Sequence, residues 1–313
     1  MRITETAIPG LLIIDLDVHG DNRGWFKENW QREKFTGLAP ELASFQPVQN
    51  NISFNHAGAT RGLHAEPWDK LVSVAQGKIF GAWCDLREGS DSFGEVVTHE
   101  VGPETAVFVP RGVANGFQAL EETSYCYLVN EHWSAEARYA AVNLNIVDWP
   151  LKPTEISEKD KQHPGLAEVS PMPARRILVT GANGQLGRAL KRLLADAEFC
   201  SHADFDITNP PERNWKQYSA IINCAAYNDV NGAENDRGTA WAVNAEAPAR
   251  LARIAAENQL TLVHVSSDYI FDGASEVHSE EELPSPLSAY GSSKAAGDTA
   301  AQTAPQHYVI RTS

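Results

Sequence analysis

The chain is poor in cysteine, and the four it has, Cys84, Cys126, Cys200 and Cys224, stand apart with no C-x-x-C spacing. That excludes a disulfide framework and the common zinc-finger spacings, and it predicts reduced thiols in a cytoplasmic protein. Basic residues are outnumbered, 26 Lys and Arg against 41 Asp and Glu for a formal charge of −15, which argues against nucleic acid or an anionic membrane as partner. No run approaches the roughly 20 apolar residues of a membrane span. The N-terminus, Met-Arg-Ile-Thr-Glu-Thr-Ala-Ile-Pro-Gly, lacks the apolar core of a signal peptide. Repeats and low-complexity tracts are missing too. What remains is an acidic chain of 313 residues with material for about two domains and a small-molecule partner.

The pattern changes near residue 174. Between Leu11 and Val147, short apolar or alternating runs (Leu11–Leu16, Lys70–Ala75, Lys78–Asp85, Val96–Val101, Ala106–Pro110, Ser124–Asn130) are separated by turn residues, which predicts an all-β, cupin-like jelly roll or similar barrel. Arg32–Leu38 is the main candidate for a short helix. Pro150, Pro153, Pro164, Pro171 and Pro173 then read as a closing tail and linker. The expected division is a first domain over 1–165, a linker over 166–174 and a second domain over 175–313. In the second, strands at 177–180, 198–201, 220–224, 261–266 and 307–311 alternate with helices at 185–195, 238–258 and 290–302. Such alternation predicts a doubly wound parallel sheet.

Within that second part, the apolar strand ending at Thr180 runs into Gly181, Gly184 and Gly187 and then a helix. A plain turn is the simpler reading of such a loop. Strand before and helix after make it a Rossmann crossover for a dinucleotide, with Gly181 and Gly184 permitting the tight turn and close backbone approach and Gly187 the packing of helix on strand. Tyr290 and Lys294 stand four apart on one helical face, where an ammonium can lower a phenol's pKa and hold a ribose. Ser266 and Ser267 end a strand at the edge where such sheets bind ligands.

These motifs also carry a resemblance. Gly181-Ala-Asn-Gly-Gln-Leu-Gly187, Asn223-Cys-Ala-Ala-Tyr227, Val243-Asn-Ala245, Ser267-Asp-Tyr-Ile-Phe-Asp-Gly273 and Tyr290-x-x-x-Lys294 occur in order, and residues 175–313 resemble dTDP-4-dehydrorhamnose reductase, an extended short-chain dehydrogenase/reductase. The resemblance implies Tyr290 as proton donor, Lys294 as its partner and Ser267 where the family usually has Thr. It places a nicotinamide cofactor along Gly181, Asn183, Gly184, Gln185, Leu186 and Gly187, with Asp206 and Ile207 near the adenine and Ala225, Ala226 and Tyr227 along the dinucleotide. Ser201-His202 shows neither a ribose-binding acid nor a phosphate-binding Arg, so NADH and NADPH both stay open. Val230-Asn-Gly-Ala-Glu234 departs from the family's Val-Asp-Lys-Ala-Glu. Family members continue past the strand ending at Arg311, so most of the sugar-binding lobe is expected to be missing and reductase turnover to be low.

In the first part, Arg61-Gly-Leu-His64 leads through Asp69-Lys70 into an apolar strand, so a base and a cation can share one sheet face; a structural histidine is the plainer alternative. The H-x-H pair of a cupin metal site is lacking, and Asn115 stands where a later His would be, which predicts no metal. Asp21-Asn-Arg-Gly-Trp-Phe-Lys-Glu28, Val48-Gln-Asn-Asn51, Arg61-Gly-Leu-His64, Lys70-Leu-Val, Asp85-Leu-Arg87 with Phe93-Gly94, and Ser157-Glu-Lys-Asp160 make residues 1–165 similar to dTDP-4-dehydrorhamnose 3,5-epimerase. That resemblance implies His64 as base, Asp160 as its orienting carboxylate and Lys70 as enolate stabiliser. It puts Arg23, Glu28, Asn51 and Arg61 at substrate-contacting positions, with Arg23 reaching a neighbouring subunit of a homodimer built on this domain. Trp133 takes the place of the family's acid tyrosine and Asn115 that of a histidine, so both are expected to bind rather than transfer protons; His132 is a possible substitute donor. Together the halves imply a bifunctional enzyme of dTDP-L-rhamnose synthesis, acting on a dTDP-linked sugar. The rival is a non-catalytic sugar-nucleotide or dimerisation module joined to a truncated dinucleotide-binding domain.

Overall fold

Val72 and Val74, Val107 and Val109, Tyr125 and Tyr127 occupy alternate positions of their strands, so each strand has one face to bury in a shared core. In the computed structural model, which describes residues 1–43, 45–135 and 137–313, they belong to the first of two units, Met1–Ala174. One antiparallel sheet runs in the order Arg2–Glu5, Leu12–Asp15, Thr105–Val109, Lys70–Gln76, Thr123–Val129, Gln49–Asn55. The other runs Ala140–Ala141, Thr60–Ala65, Val113–Ala119, Ile79–Asp85, Val96–Val101. Ile79, Trp83, Val113 and Phe117 of the second sheet meet the valines of the first in one core, giving a cupin-like β fold. Each such side chain, fully buried, stabilises the fold by about 1.5–3 kcal/mol.

The outer faces are covered as well. Phe35, from the helix Arg32–Thr36, with Leu42 and Phe45 packs on Leu12, Ile14, Leu71 and Phe108. On the other side Val142, Val147, Val169 and Met172 cover Leu63, Ala65, Ala82 and Cys84. This corrects the expected linker. Residues 166–174 form part of the first unit, because Val169 and Met172 are buried and the Met172 N–H donates to the Leu86 carbonyl at 2.7 Å while its own carbonyl accepts from Glu88. The contact boundary falls between Ala174 and Arg175.

The second unit, Arg175–Ser313, holds a parallel sheet in the order Glu198–Cys200, Arg176–Thr180, Tyr218–Asn223, Thr261–Ser267, His307–Thr312. Leu178, Ile221 and Leu262 of the sheet pack with Leu251, Ala252 and Ala255 of the helix Ala247–Asn258. Two helices depart from expectation. The first spans only Gln185–Leu190, with Gly187 alone of its residues buried, and hydrogen-bonded turns carry the chain on to Leu194. The second is interrupted: Arg237–Trp241 and Ala247–Asn258 flank a π-helical turn, Ala242–Glu246. No helix among the described residues is long and apolar enough to cross a membrane.

Candidate functional site

Strand alternation builds the first site. Along Thr60–Ala65, Leu63 and Ala65 enter the outer core, which leaves His64 for the inner face. Lys70 lies in phase with the inward Val72 and Val74 on the facing sheet. Between the sheets is a cavity of about 700 Å³ lined by Asn51, Arg61, His64, Glu66, Lys70, Asn115, Tyr125, Tyr127 and Asp160, among others. His64 Nε2 bonds Asp160 Oδ1 at 2.8 Å. The Asp160 backbone N–H is capped by Ser157 Oγ at 3.1 Å, and its second carboxylate oxygen accepts from the Gly62 N–H at 3.2 Å. Burial pushes the Asp160 carboxyl up, but His64 and these donors outweigh it and hold the group below the usual range. A carboxylate at Nε2 fixes the proton there and leaves Nδ1 as the basic atom.

Lys70 is buried and pairs with Glu66 at 2.5 Å, its ammonium 4.7 Å from the centroid of the Tyr127 ring. Asn115 accepts from Trp83 Nε1 at 2.9 Å and donates to the Tyr125 hydroxyl at 3.1 Å, so it braces the cavity wall. Arg61 is oriented by Asn55 at 2.7 Å. The cavity wall does not include Arg23, Glu28 or Trp133. Arg23 pairs with Asp21 on an exposed hairpin, and Glu28 pairs with Lys34. Trp133 is 67 % exposed. Both His132 and Trp133 follow the end of the strand Thr123–Val129, so strand alternation does not govern where they face.

Sequence reasoning missed Glu66, Tyr127 and His163. The buried His163 ring stands edge-on to His64 at 5.0 Å, and its nitrogens have no hydrogen-bond partner among the described residues. His64, Asp160 and His163 offer ligand atoms within 4.8 Å of one another. The missing H-x-H spacing had argued against metal; a distant histidine supplies a third donor that spacing could not reveal. Burial, then the neighbouring His64, pushes the His163 imidazole below its ordinary value.

In the second unit the sheet order reverses between Arg176–Thr180 and Tyr218–Asn223, and the crevice beyond their C-terminal ends is where such sheets take ligands. Gly181 has φ of +70°, and a Cβ there would fall 2.7 Å from Ala225 N. A Cβ on Gly187 would run into the Gly181 carbonyl and Ala182, so the loop of Asn183, Gly184, Gln185 and Leu186 closes tightly on itself. Among the described residues, no side chain caps the helix that Gly184 starts. Asn244, presented by the π turn, accepts from Tyr227 N at 2.9 Å, donates to Tyr227 O at 3.0 Å and reaches Ser293 Oγ at 3.1 Å. It thereby ties the loop of Ala225, Ala226 and Tyr227 to the helix Ala289–Ala301 that carries Tyr290 and Lys294.

Tyr290 is buried and hydrogen-bonded to Ser267, whose Oγ also donates to Asp268 at 3.0 Å. The expected lowering of its pKa by Lys294 is corrected here: burial pushes the phenol up, with only Ser267 opposing. Lys294 instead donates to the Val265 carbonyl at 2.7 Å, and its own burial lowers it to about 8. Asp206 accepts from the Thr208 N–H and hydroxyl at 2.8 and 2.7 Å, while Ile207 packs into the core. A larger cavity, about 1300 Å³, is lined by Asp268, Tyr269, Phe271, Arg311 and neighbours, without Ser267, Tyr290, Lys294 or the glycine loop.

Residues 5–168 match the family model described as dTDP-4-dehydrorhamnose 3,5-epimerase, and residues 175–313 match the one described as RmlD substrate binding domain. Among curated relatives, the protein RmlC homolog of Streptococcus pyogenes is 51 % identical over 176 residues, 53 % of this chain and 89 % of the relative. A dTDP-4-dehydrorhamnose reductase of Mycobacterium tuberculosis is 39 % identical over 151 residues, 44 % of this chain and 50 % of the relative. The chain thus spans about half the length of the curated reductase it matches. A solved structure of RmlC from Streptococcus suis in complex with dTDP-D-xylose aligns with TM-score 0.51 and 46 % identity over 55 % of this chain and 94 % of that one.

Proposed function

Because this chain belongs, through residues 5–168, to the dTDP-4-dehydrorhamnose 3,5-epimerase family, we propose that its first unit moves protons next to the ketone of a dTDP-linked 4-keto-6-deoxy sugar. The observation that carries the reading is the His64–Asp160 pair at 2.8 Å in a cavity shared with the buried Lys70. Asp160 keeps the proton on Nε2, so Nδ1 removes the proton from carbon. The Lys70 ammonium, held by Glu66, stabilises the charge that develops on the carbonyl oxygen. Asn51, Arg61 and Asn115 would contact substrate from the cavity wall. A binding module has no use for a carboxylate that fixes one histidine tautomer, and this disfavours the rival reading.

The second unit then reduces the 4-keto group with NADH or NADPH, giving a bifunctional enzyme of dTDP-L-rhamnose synthesis. A bound nicotinamide would supply the hydride. The tight Gly181–Gly187 loop, its uncapped helix start and the loop at Ala225–Tyr227 fit a dinucleotide, and Asp206 stands at the adenine end. Tyr290, held by Ser267, donates the proton to the carbonyl oxygen; Lys294 holds the ribose. A second copy is the proposed partner of the first unit, supported by Trp25, Phe26, Ile52 and Phe54, exposed on the hairpin and on the edge strand Gln49–Asn55. The enzyme works in the cytoplasm, where its four free thiols stay reduced.

The test is solvent-deuterium incorporation into dTDP-4-keto-6-deoxyglucose, followed by NMR. Wild type is expected to exchange carbon-bound hydrogen next to the ketone, and His64→Ala to lose at least about 100-fold of that rate. No exchange by wild type would refute the reading.

A further inference from the structure

We propose that His64, Asp160 and His163 form a binding site for a zinc-type transition-metal dication, and that filling it switches off the base of the first unit. The site stands on its own geometry; the switch rests on the epimerase reading above. Asp160 belongs to the short helix Glu158–Lys161 and His163 follows three residues later, so one turn of chain brings both against the strand Thr60–Ala65 that carries His64. His64 Nε2 and His163 Nε2 approach the same carboxylate oxygen, Asp160 Oδ1, at 2.8 and 3.8 Å. The three donor atoms lie within 4.8 Å of one another. Zinc bonds such atoms at about 2.0–2.2 Å, which sets the donors of a tetrahedral ion about 3.4 Å apart. Small turns of the two imidazoles bring the donors to that spacing.

A second observation points to a ligand here. The His163 side chain is only 7 % exposed, yet neither ring nitrogen has a hydrogen-bond partner among the described residues. Buried polar atoms are ordinarily paired, because leaving one unmet costs free energy. The backbone holds the residue in place: its N–H donates to the Asp160 carbonyl at 3.4 Å, and its own carbonyl accepts from Asn143 Nδ2 at 3.1 Å. The carboxylate is fixed too, its other oxygen taking the Gly62 N–H. Two imidazoles and one carboxylate suit zinc and its neighbours, whereas magnesium and calcium want oxygen alone. His64 and Asp160 line the cavity, so an ion has a way in and water can complete its coordination. This is not the H-x-H site that the sequence lacks, since its donors come from one strand and from the returning tail.

The consequence for the base follows from which nitrogen the ion takes. Without metal, Asp160 keeps the proton on Nε2 and Nδ1 is the basic atom. An ion on Nε2 needs that lone pair, so the proton passes to Nδ1. The ring neither gains nor loses a proton and nothing is oxidised or reduced, but Nδ1–H no longer accepts hydrogen from carbon.

The experiment uses the full chain, stripped with EDTA and titrated with zinc alone against a chromophoric chelator. Wild type is expected to bind one zinc with a Kd of about 10 µM or tighter. In His163→Phe, which keeps the ring's shape, that zinc is held at least about 30-fold more weakly, and His64→Ala loses it as well. Should the phenylalanine variant not fold, His163→Gln carries the same expectation. Solvent-deuterium exchange into dTDP-4-keto-6-deoxyglucose is then measured with and without zinc, each protein against its own zinc-free rate. Zinc is expected to slow wild type at least about tenfold, reversibly with EDTA, and to leave the His163 variant within about twofold. Equal zinc affinity in wild type and variant, or none tighter than about 100 µM in wild type, overturns the site and leaves a buried water as the group between the rings. Tight zinc without slowing, or slowing that persists in the variant, overturns the switch. Wild type that exchanges no hydrogen even without zinc refutes the epimerase reading and the switch with it, while the titration still decides the site.

Discussion

His264 shows how a single buried side chain sets a pH limit. It is 1 % exposed on the strand Thr261–Ser267, with Nδ1 accepting from Asn223 at 3.1 Å and Nε2 3.9 Å from Asp298. Burial first, then the charge of Lys294, lowers its pKa to about 3. Between pH 3 and 6.5 the unfolded chain therefore carries a proton on His264 that the folded chain refuses. The stability this represents is complete above about 6.5 and is lost as pH falls toward 3. At pH 5 the loss from this group is about 2 kcal/mol relative to pH 7. Asp298, whose carboxyl is raised by burial, works in the opposite sense, so the comparison must be made against a variant. His264→Gln keeps an acceptor for Asn223 and removes the titration. Denaturant unfolding at pH 7 and pH 5 is expected to show wild type losing about 2 kcal/mol more than His264→Gln; equal losses would mean that His264 is not the group.

At the level of elements, the strands read most readily from sequence are those that build core. Lys70–Gln76, Ile79–Asp85, Val96–Val101 and Thr105–Val109 carry apolar runs, and expected and observed bounds nearly coincide. Gln49–Asn55, Thr60–Ala65 and Val113–Ala119 escaped notice, and these supply Asn51, Arg61, His64 and Asn115 to the cavity. Polar residues that line a site break the apolar alternation by which a strand is recognised. The resemblance supplied those four residues where periodicity could not. Tyr127, Glu66 and His163 need the fold itself, since their roles depend on which sheets face and which tail returns. The glycine loop was legible, but not the rank of its glycines. Gly184 has an ordinary φ of −70°, and a Cβ there would sit 3.3 Å from the Gly181 carbonyl, whereas one on Gly187 would clash outright with loop backbone. Gly187→Ala is therefore expected to weaken NADH or NADPH binding by about tenfold or more, and Gly184→Ala by less, in a titration of nicotinamide fluorescence. The reverse order would show that the loop does not set the cofactor's seat.

For the whole molecule, the segment expected to be slack is structural. Val169 and Met172 lie in the core beneath the second sheet, and Arg87 forms a bridge with Met172. A chain cut after residue 165 should unfold about 3–6 kcal/mol more easily than one cut after 174, from two lost core side chains at about 1.5–3 kcal/mol each. Urea midpoints of the two fragments measure this, and matching midpoints would refute it. The folded-back tail also fixes where genes for such proteins can be joined. Recombination that exchanges second units between related chains has its permissible seam at Ala174–Arg175, and a crossover a few codons earlier would hand the incoming partner a piece of its neighbour's core.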